Sequence, residues 1–453
     1  MQPCCQERRL SQTKLIRPDY AESFRCIGSA CEDTCCKGWC VPLDEAACEK
    51  YRALPPSPMR TLIDASIQVN GPAADGAKPA SFAKIRMTES NQCPMLAKNG
   101  LCGIQTAYGE GYLSHTCATY PRILRSVGEI EEKALTLSCP EAARFVLLSP
   151  KLVNLRPQAA PVEMAGQPAE VETAPDSRLL QSQYWPIRAA VLDLIQNRVY
   201  PLWQRLFLLG VFCRRLDSIA SGELRRSVPD FLRDFAATVA TGALRPAMET
   251  LPIDRAAQLD VVLRLAGLLL HRSNIRPRFI ECIQAFTAGI GNGPGATLES
   301  LTAHYAVAYD RHYAPFFERH PQILENYLIN TVVRCQFPFG CDGLKPEAAP
   351  SLAREYALLT AQFALMKGLL IGVAGHYRED FSATHVVHTV QAASKHFEHH
   401  PEFLNQTHAL LVESQMDGAR GLAILLRNAE PAASQPASPT IHAPGPQTEV
   451  RAS

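Results

Sequence analysis

The chain has 453 residues, enough to bury a large core and to form more than one domain. Its net charge is +1 and 47% of its residues are hydrophobic, so bulk charge gives no pull toward nucleic acid or an anionic membrane surface. No uninterrupted apolar run reaches the ~18–20 residues of a transmembrane helix; the densest stretch, Leu263 to Leu270, contains Arg264 and is followed by His271, and no membrane insertion is expected.

Residues 1–20 read as a flexible lead-in. MQPCCQERRLSQTK has no apolar h-region of a secretory signal, so a reducing, cytoplasmic setting is expected; Cys4 and Cys5 lie outside any pattern. The stretch Phe24 to Asp44 then places Cys26, Cys31, Cys35, Cys36 and Cys40 within fifteen residues, and Cys93, Cys102, Cys117 and Cys139 follow. Twelve of the sixteen cysteines fall in the first 139 residues. A core is filled with Leu, Ile and Val, whereas cysteine is chosen for its chemistry. In a reducing compartment, clustered thiols point to metal rather than disulfides. Zinc and iron–sulfur clusters both take thiolates, commonly four. The eight candidate ligands are Cys26, Cys31, Cys35, Cys36, Cys93, Cys102, Cys117 and Cys139, expected to converge on one site; a purely structural zinc site is the plain alternative. The adjacent pair Cys35 and Cys36 cannot point the same way in regular structure. The C-x3-C-x2-C spacing of many radical enzymes that cleave S-adenosylmethionine is absent, because Gly38 and Leu43 occupy the third positions.

Residues 21–150 thus read as an irregular Cys-rich metal or iron–sulfur module with a few short strands. Within it Asp44 caps a short helix in LDEAACEKYRAL, residues 70–81 form a surface loop, and FAKIRM (82–87) forms a short strand. Asn99-Gly100 is a turn that brings Cys93 and Cys102 to the ends of a tight connection. EEKALTLSCPEAARFVLL reads as a strand ending at Ser138-Cys139-Pro140, then a helix with Pro140 in its first turn. Residues 151–178, rich in Pro, Ala and Glu, read as a linker or surface loop. From 179 to 428 apolar residues recur at three- and four-residue spacing, the mark of an all-α domain; 429–453 reads as a disordered tail. The fold class is mainly α.

Three further patterns carry less. AGIGNGPGAT (288–297) looks like a nucleotide-binding glycine loop but follows a helical segment, and a plain interhelical loop is the better reading. HFEHHPEF brings Glu398 and His399 to a helix end closed by Pro401, a solvated end first and a general base second. ENYLIN (325–330) sets Glu325 beside Tyr327 in an apolar helix, where polar groups usually satisfy a core hydrogen bond. Tyr327, Glu325, Glu398 and His399 are the weak catalytic candidates.

FRCIGSACEDTCCKGW (24–39), CPMLAKNGLCGIQ (93–105), GYLSHTCATYPR (111–122) and LTLSCPEAAR (135–144) resemble the flagellin lysine-N-methylase (FliB) family, and ENYLIN and VQAASKHFEHHPEFL (390–404) more softly so. The resemblance implies methyl transfer from S-adenosylmethionine to lysine side chains of flagellin in the cytoplasm, and a [4Fe–4S] cluster on the Cys-rich module. Cys40, Cys4, Cys5, Cys48 and Cys335 are extra to its pattern. No Rossmann methyltransferase signature is visible. The competing readings are a non-catalytic zinc- or iron-binding adaptor and a cluster-dependent oxidoreductase.

Overall fold

A computed structural model describes residues 20–38, 41–71, 81–127, 130–152, 179–224, 226–271, 275–340, 351–398 and 401–428. The order in the Cys-rich part is β1 (Val41–Leu43), α1 (Glu45–Arg52), α2 (Pro58–Ser66), β2 (Ile67–Val69), β3 (Ala83–Ile85), α3 (Gly103–Tyr108), α4 (His115–Thr119), β4 (Arg122–Val127), β5 (Ile130–Leu135) and α5 (Pro140–Leu148). Helices follow: α6 (Leu179–Ser182), α7 (Tyr184–Gln196), α8 (Leu202–Ala220), α9 (Val228–Thr241), α10 (Arg245–Glu249), α11 (Arg255–Leu270), α12 (Pro277–Gly289) and α13 (Leu298–Ala308). Then come α14 (Ala314–Arg319), α15 (Gln322–Arg334), α16 (Leu352–Tyr377), α17 (Ala383–Phe397), α18 (Pro401–Glu413) and α19 (Ala419–Leu426). The protein is mostly helical with a few short strands near its N-terminus, as the periodicity indicates.

Two hydrophobic cores form. The smaller joins the antiparallel sheet β1-β3-β2 to α1, α2 and α3 through residues such as Leu43, Tyr51, Ile63 and Ile85. Asp44 caps α1 as expected, its Oδ1 accepting from the Ala47 N–H at 2.7 Å. The larger core takes in the helices from α6 onward and also Tyr20, Phe24, Leu135, Leu137 and α5. The cores therefore part within the Cys-rich stretch, between α4 and β4, rather than at residues 151–178. Residues 153–178 and 429–453 lie outside the described residues, as do Cys4 and Cys5.

Buried polar stitching explains why the hairpin β4–β5 sides with the helices. Asn330 on α15 behaves like a strand partner for β5. Its Oδ1 accepts from the Leu135 N–H (3.2 Å) and from the Tyr20 hydroxyl (2.6 Å), while its Nδ2 donates to the Leu135 carbonyl (2.9 Å). Asn326 donates to the Ser149 carbonyl beyond α5 (2.7 Å). Glu132 on β5 and Arg188 on α7, each only 1% exposed, pair at 2.9 Å, and Arg188 also donates to the carbonyls of Val332 and Phe337. Removing one partner of such a buried pair alone costs about 3–5 kcal/mol.

α16 runs through the centre of the larger core. With the turn after it, Leu352–Asp380, it is long and apolar enough by length and composition to cross a membrane, and its apolar stretch is wholly buried within the fold. The sequence masks it because Lys367 interrupts the apolar residues. That lysine is buried and donates to the carbonyls of Leu425 (2.9 Å) and Leu426 (2.8 Å), capping the end of α19. α12 crosses α16 at very short range: a methyl built on Gly289 would sit 1.7 Å from the Gly372 carbonyl oxygen. The segment 288–297 ends α12 and leads to the Thr297 cap of α13, so the glycine-rich stretch is an interhelical loop.

Candidate functional site

The thiol-bearing loops hang on the small core. Residues 31–38 pair with the strand-like segment 91–93: the Cys93 N–H donates to the Cys36 carbonyl (2.8 Å) and the Gly38 N–H to the Asn91 carbonyl (2.9 Å). The Asn99-Gly100 turn folds Cys102 back beside Leu96, and the Gly103 N–H donates to the Met95 carbonyl at 2.7 Å. Ser114 caps α4, accepting from the Cys117 N–H at 3.3 Å.

These connections bring several of the eight thiols together. Cys36 lies between Cys35 and Cys102 and hydrogen-bonds both. Its own thiol is pushed up, first by these contacts, between which its single S–H is shared, and then by burial. The same two bonds lower Cys35 to about 7 and Cys102 to about 6, since a donated S–H stabilises a thiolate. Backbone N–H groups of Ile104 and Gln105 add to the effect at Cys102. Cys93 and Cys117 pack on the same core, each raised to about 11 by burial, with Cys35 and Cys102 near enough to add to the rise. Cys139 caps α5 within the larger core and is raised to about 12, first by burial; Cys31 and Cys35 lie near it. Cys31 is half-buried with its Sγ 3.4 Å from the Asp33 carbonyl, and Cys26 is exposed, its Sγ accepting from the Gly28 N–H at 3.4 Å. Cys35 is exposed and Cys36 half-buried, so the irregular loop turns adjacent side chains to different surroundings. The donors are sulfur throughout, which suits a thiophilic metal or an iron–sulfur cluster. Among the described residues, no three His, Cys, Asp or Glu side chains stand close enough to hold one metal ion; Cys40 is outside them.

A cleft of about 480 Å³ opens beside this loop, bordered by Cys31, Glu32, Asp33, Thr34, Lys37 and Lys98. It lies within the range of small-molecule sites. The loop is fastened to α17 through Asp33, whose Oδ2 accepts from Lys395 Nζ (2.7 Å) and Gln391 Nε2 (2.8 Å). Gln391 donates also to the Ser138 carbonyl (3.0 Å) and accepts from Arg278 Nε (3.0 Å). Arg276 packs against the end of the same loop. Its guanidinium occupies the space a Cβ on residue 38 would need, and the φ of +85° there favours glycine.

The catalytic candidates fall elsewhere. Glu325 is buried and binds Arg198 through both carboxylate oxygens (3.0 Å each) and Arg205 at 2.8 Å, the arrangement of a core ion cluster. Tyr327 is buried in the larger core, its hydroxyl raised first by burial. Glu398 accepts from Thr136 Oγ1 just past β5 and lies 3.6 Å from Arg334. None of the three borders the cleft. His399 is outside the described residues. A second, smaller pocket of about 200 Å³ between α12, α16 and α17 is lined by Glu281, Cys282, Tyr377, His385, His388 and Thr389. Asp33, Gln391, Lys395 and Arg276 went unremarked in the sequence. A signal existed: Asp33 sits between Cys31 and Cys35, and Gln391 and Lys395, four apart inside VQAASKHF, share one helix face.

Residues 188–425 match the family model described as FliB lysine N-methylase C-terminal domain. The chain belongs to the FliB lysine N-methylase family. A relative called lysine-N-methylase, from Salmonella typhimurium strain LT2, is 24% identical over 403 residues, covering 85% of this chain and 93% of its own length. One of the same name from Salmonella choleraesuis has the same identity and coverage. The flagellar biosynthetic protein FliU of Salmonella muenchen is 30% identical over 147 residues, 32% of this chain and 84% of FliU. No solved structure matches the chain. The FliB match begins at Arg188, the residue that ties the helices to β5, so it covers most of the larger core.

Proposed function

We propose that the protein is a protein-lysine N-methyltransferase that moves a methyl group from S-adenosylmethionine to lysine side chains of flagellin in the cytoplasm, with a [4Fe–4S] cluster on its thiol-bearing loops. Family membership supports the reaction class, and the names of the relatives support a flagellar substrate. The observation that carries the reading is the contact of Cys35, Cys36 and Cys102 next to a cleft bordered by Cys31. The cluster's four thiolates would be drawn from Cys26, Cys31, Cys35, Cys36, Cys93, Cys102, Cys117 and Cys139. When bound, S-adenosylmethionine supplies an electrophilic methyl on a cationic sulfur.

The chain's part is to present a neutral amine. A lysine ammonium has an unperturbed pKa near ~10.4 and attacks only after losing its proton. A cleft walled by protein excludes part of the water that stabilises the ammonium, and Lys37 and Lys98 at its border disfavour a further positive charge. Glu32 and Asp33 supply acceptors for the amine's N–H groups.

The test is transfer of labelled methyl from S-adenosylmethionine to purified flagellin by anaerobically prepared protein. Label on lysine is expected. Absence of label from protein that carries its cluster overturns the enzymatic reading. A visible absorption spectrum separates the metals, because zinc is d10 and contributes no such band.

A further inference from the structure

We infer that Asp33 is the anchor for the incoming lysine nitrogen, and that Lys395 and Gln391 on α17 are the positioning residues that aim it into the cleft; this rests on the methyltransferase reading above. Asp33 borders the cleft beside Cys31 and Thr34, yet its carboxylate is not free to rotate. Its Oδ2 is held by two donors from another element, Lys395 at 2.7 Å and Gln391 at 2.8 Å. Its Oδ1 takes no hydrogen bond among the described residues, and the side chain is 18% exposed. One oxygen is therefore fixed and the other remains as an acceptor at the cleft. The neighbouring Glu32 differs: it pairs with Arg144 at 2.6 Å and makes no hydrogen bond to α17 among the described residues.

Pairing with Lys395 also suits the chemistry. An isolated carboxylate would bind an ammonium tightly and hold it in the protonated state, which cannot attack a methyl group. A carboxylate already neutralised by Lys395, with Arg276 close by, still accepts an N–H hydrogen bond but favours the extra proton less. Orientation is obtained without locking the amine as a cation. Gln391 sets the pitch of the arrangement, because it bonds Asp33, the Ser138 carbonyl next to Cys139, and Arg278 together. The softer family segment VQAASKHF thereby gains a role, since it carries the residues that hold the cleft acceptor in place.

The experiment uses the full-length, cluster-loaded protein without methyl donor and n-butylamine as the probe, with n-butanol as an uncharged control, read by saturation-transfer NMR. Asp33→Asn keeps an oxygen acceptor for Lys395 and Gln391, so the loop stays docked. Binding of n-butylamine is expected to weaken about tenfold in Asp33→Asn, the loss that a charge-assisted hydrogen bond accounts for, with n-butanol unchanged. Lys395→Met removes the cation that neutralises Asp33, so binding of the protonated n-butylamine should tighten, whereas Lys395→Arg should retain the wild-type affinity. Equal n-butylamine binding by wild type and Asp33→Asn overturns the anchor, and wild-type binding by Lys395→Met overturns the positioning role. No methyl transfer is involved, so intact amine binding in a protein that fails to label flagellin would condemn the methyltransferase reading and leave the amine site standing.

Discussion

The smaller core buries twelve apolar or thiol side chains around three three-residue strands, and the larger runs from Tyr20 to Leu426 around the apolar helix α16. The first carries the chemistry-bearing residues on irregular loops; the second is close-packed helix, stitched to α5 and β5 by Asn326, Asn330 and the Glu132–Arg188 pair. A core of the first kind rarely supplies more than ~3–5 kcal/mol on its own. It is held instead by what surrounds it: backbone pairing between residues 36–38 and 91–93, the Asp33 contacts to α17, and the close approach of Arg276 to Gly38. The difference is a division of labour. The helical core is a rigid wall, and the thiol loops are fastened to it at a few named points.

The largest expected effect breaks the wall. Arg188→Met leaves Glu132 buried without its cation and should cost about 3–5 kcal/mol by chemical denaturation, while Glu132→Leu combined with Arg188→Met should recover most of that loss. If the single and the double variant are equally destabilised, the pair is not what joins the hairpin to the helices.

Next comes the fastening. Gly38→Ala meets the Arg276 guanidinium and a φ of +85°, and strain of this kind costs of order 1–3 kcal/mol. Hydrogen exchange should rise at the amides of residues 38 and 93 and stay unchanged along α16. Equal loosening of both regions would show that the two cores unfold as one.

Smaller again is the cap of α1. Asp44→Ala removes the acceptor of the Ala47 N–H and should cost about 1 kcal/mol, confined to the small core. A proteolysis assay that reports cleavage near residues 45–52 separates local from global loss.

The smallest effect tests the wall through pH. Burial lowers the His388 pKa below its usual value, and Arg278 adds to the effect. The unfolded chain therefore takes up the proton first as pH falls below about 6.5, and stability declines in that direction. Thermal melts from pH 7.5 to 5 should show the decline, and His388→Gln should flatten it; an identical slope in the variant assigns the acid sensitivity to other groups.

The helical class, the loop at 288–297, the Asp44 cap, the strand within FAKIRM and the turn at Asn99-Gly100 were all legible in the chain, because each depends on period, capping or turn chemistry within a few residues. ENYLIN was legible as core hydrogen bonding too, since polar groups in an apolar helix need partners; the partners themselves, Leu135, Ser149, Arg198 and Arg205, are up to 195 residues away in the chain. Long-range packing alone settled that β4, β5 and α5 belong with the helices and that Asp33 faces a cleft with Lys395 and Gln391 behind it. Residues 358 and 362 positions apart meet there because packing places α17 against the thiol loop, and no local pattern encodes that distance.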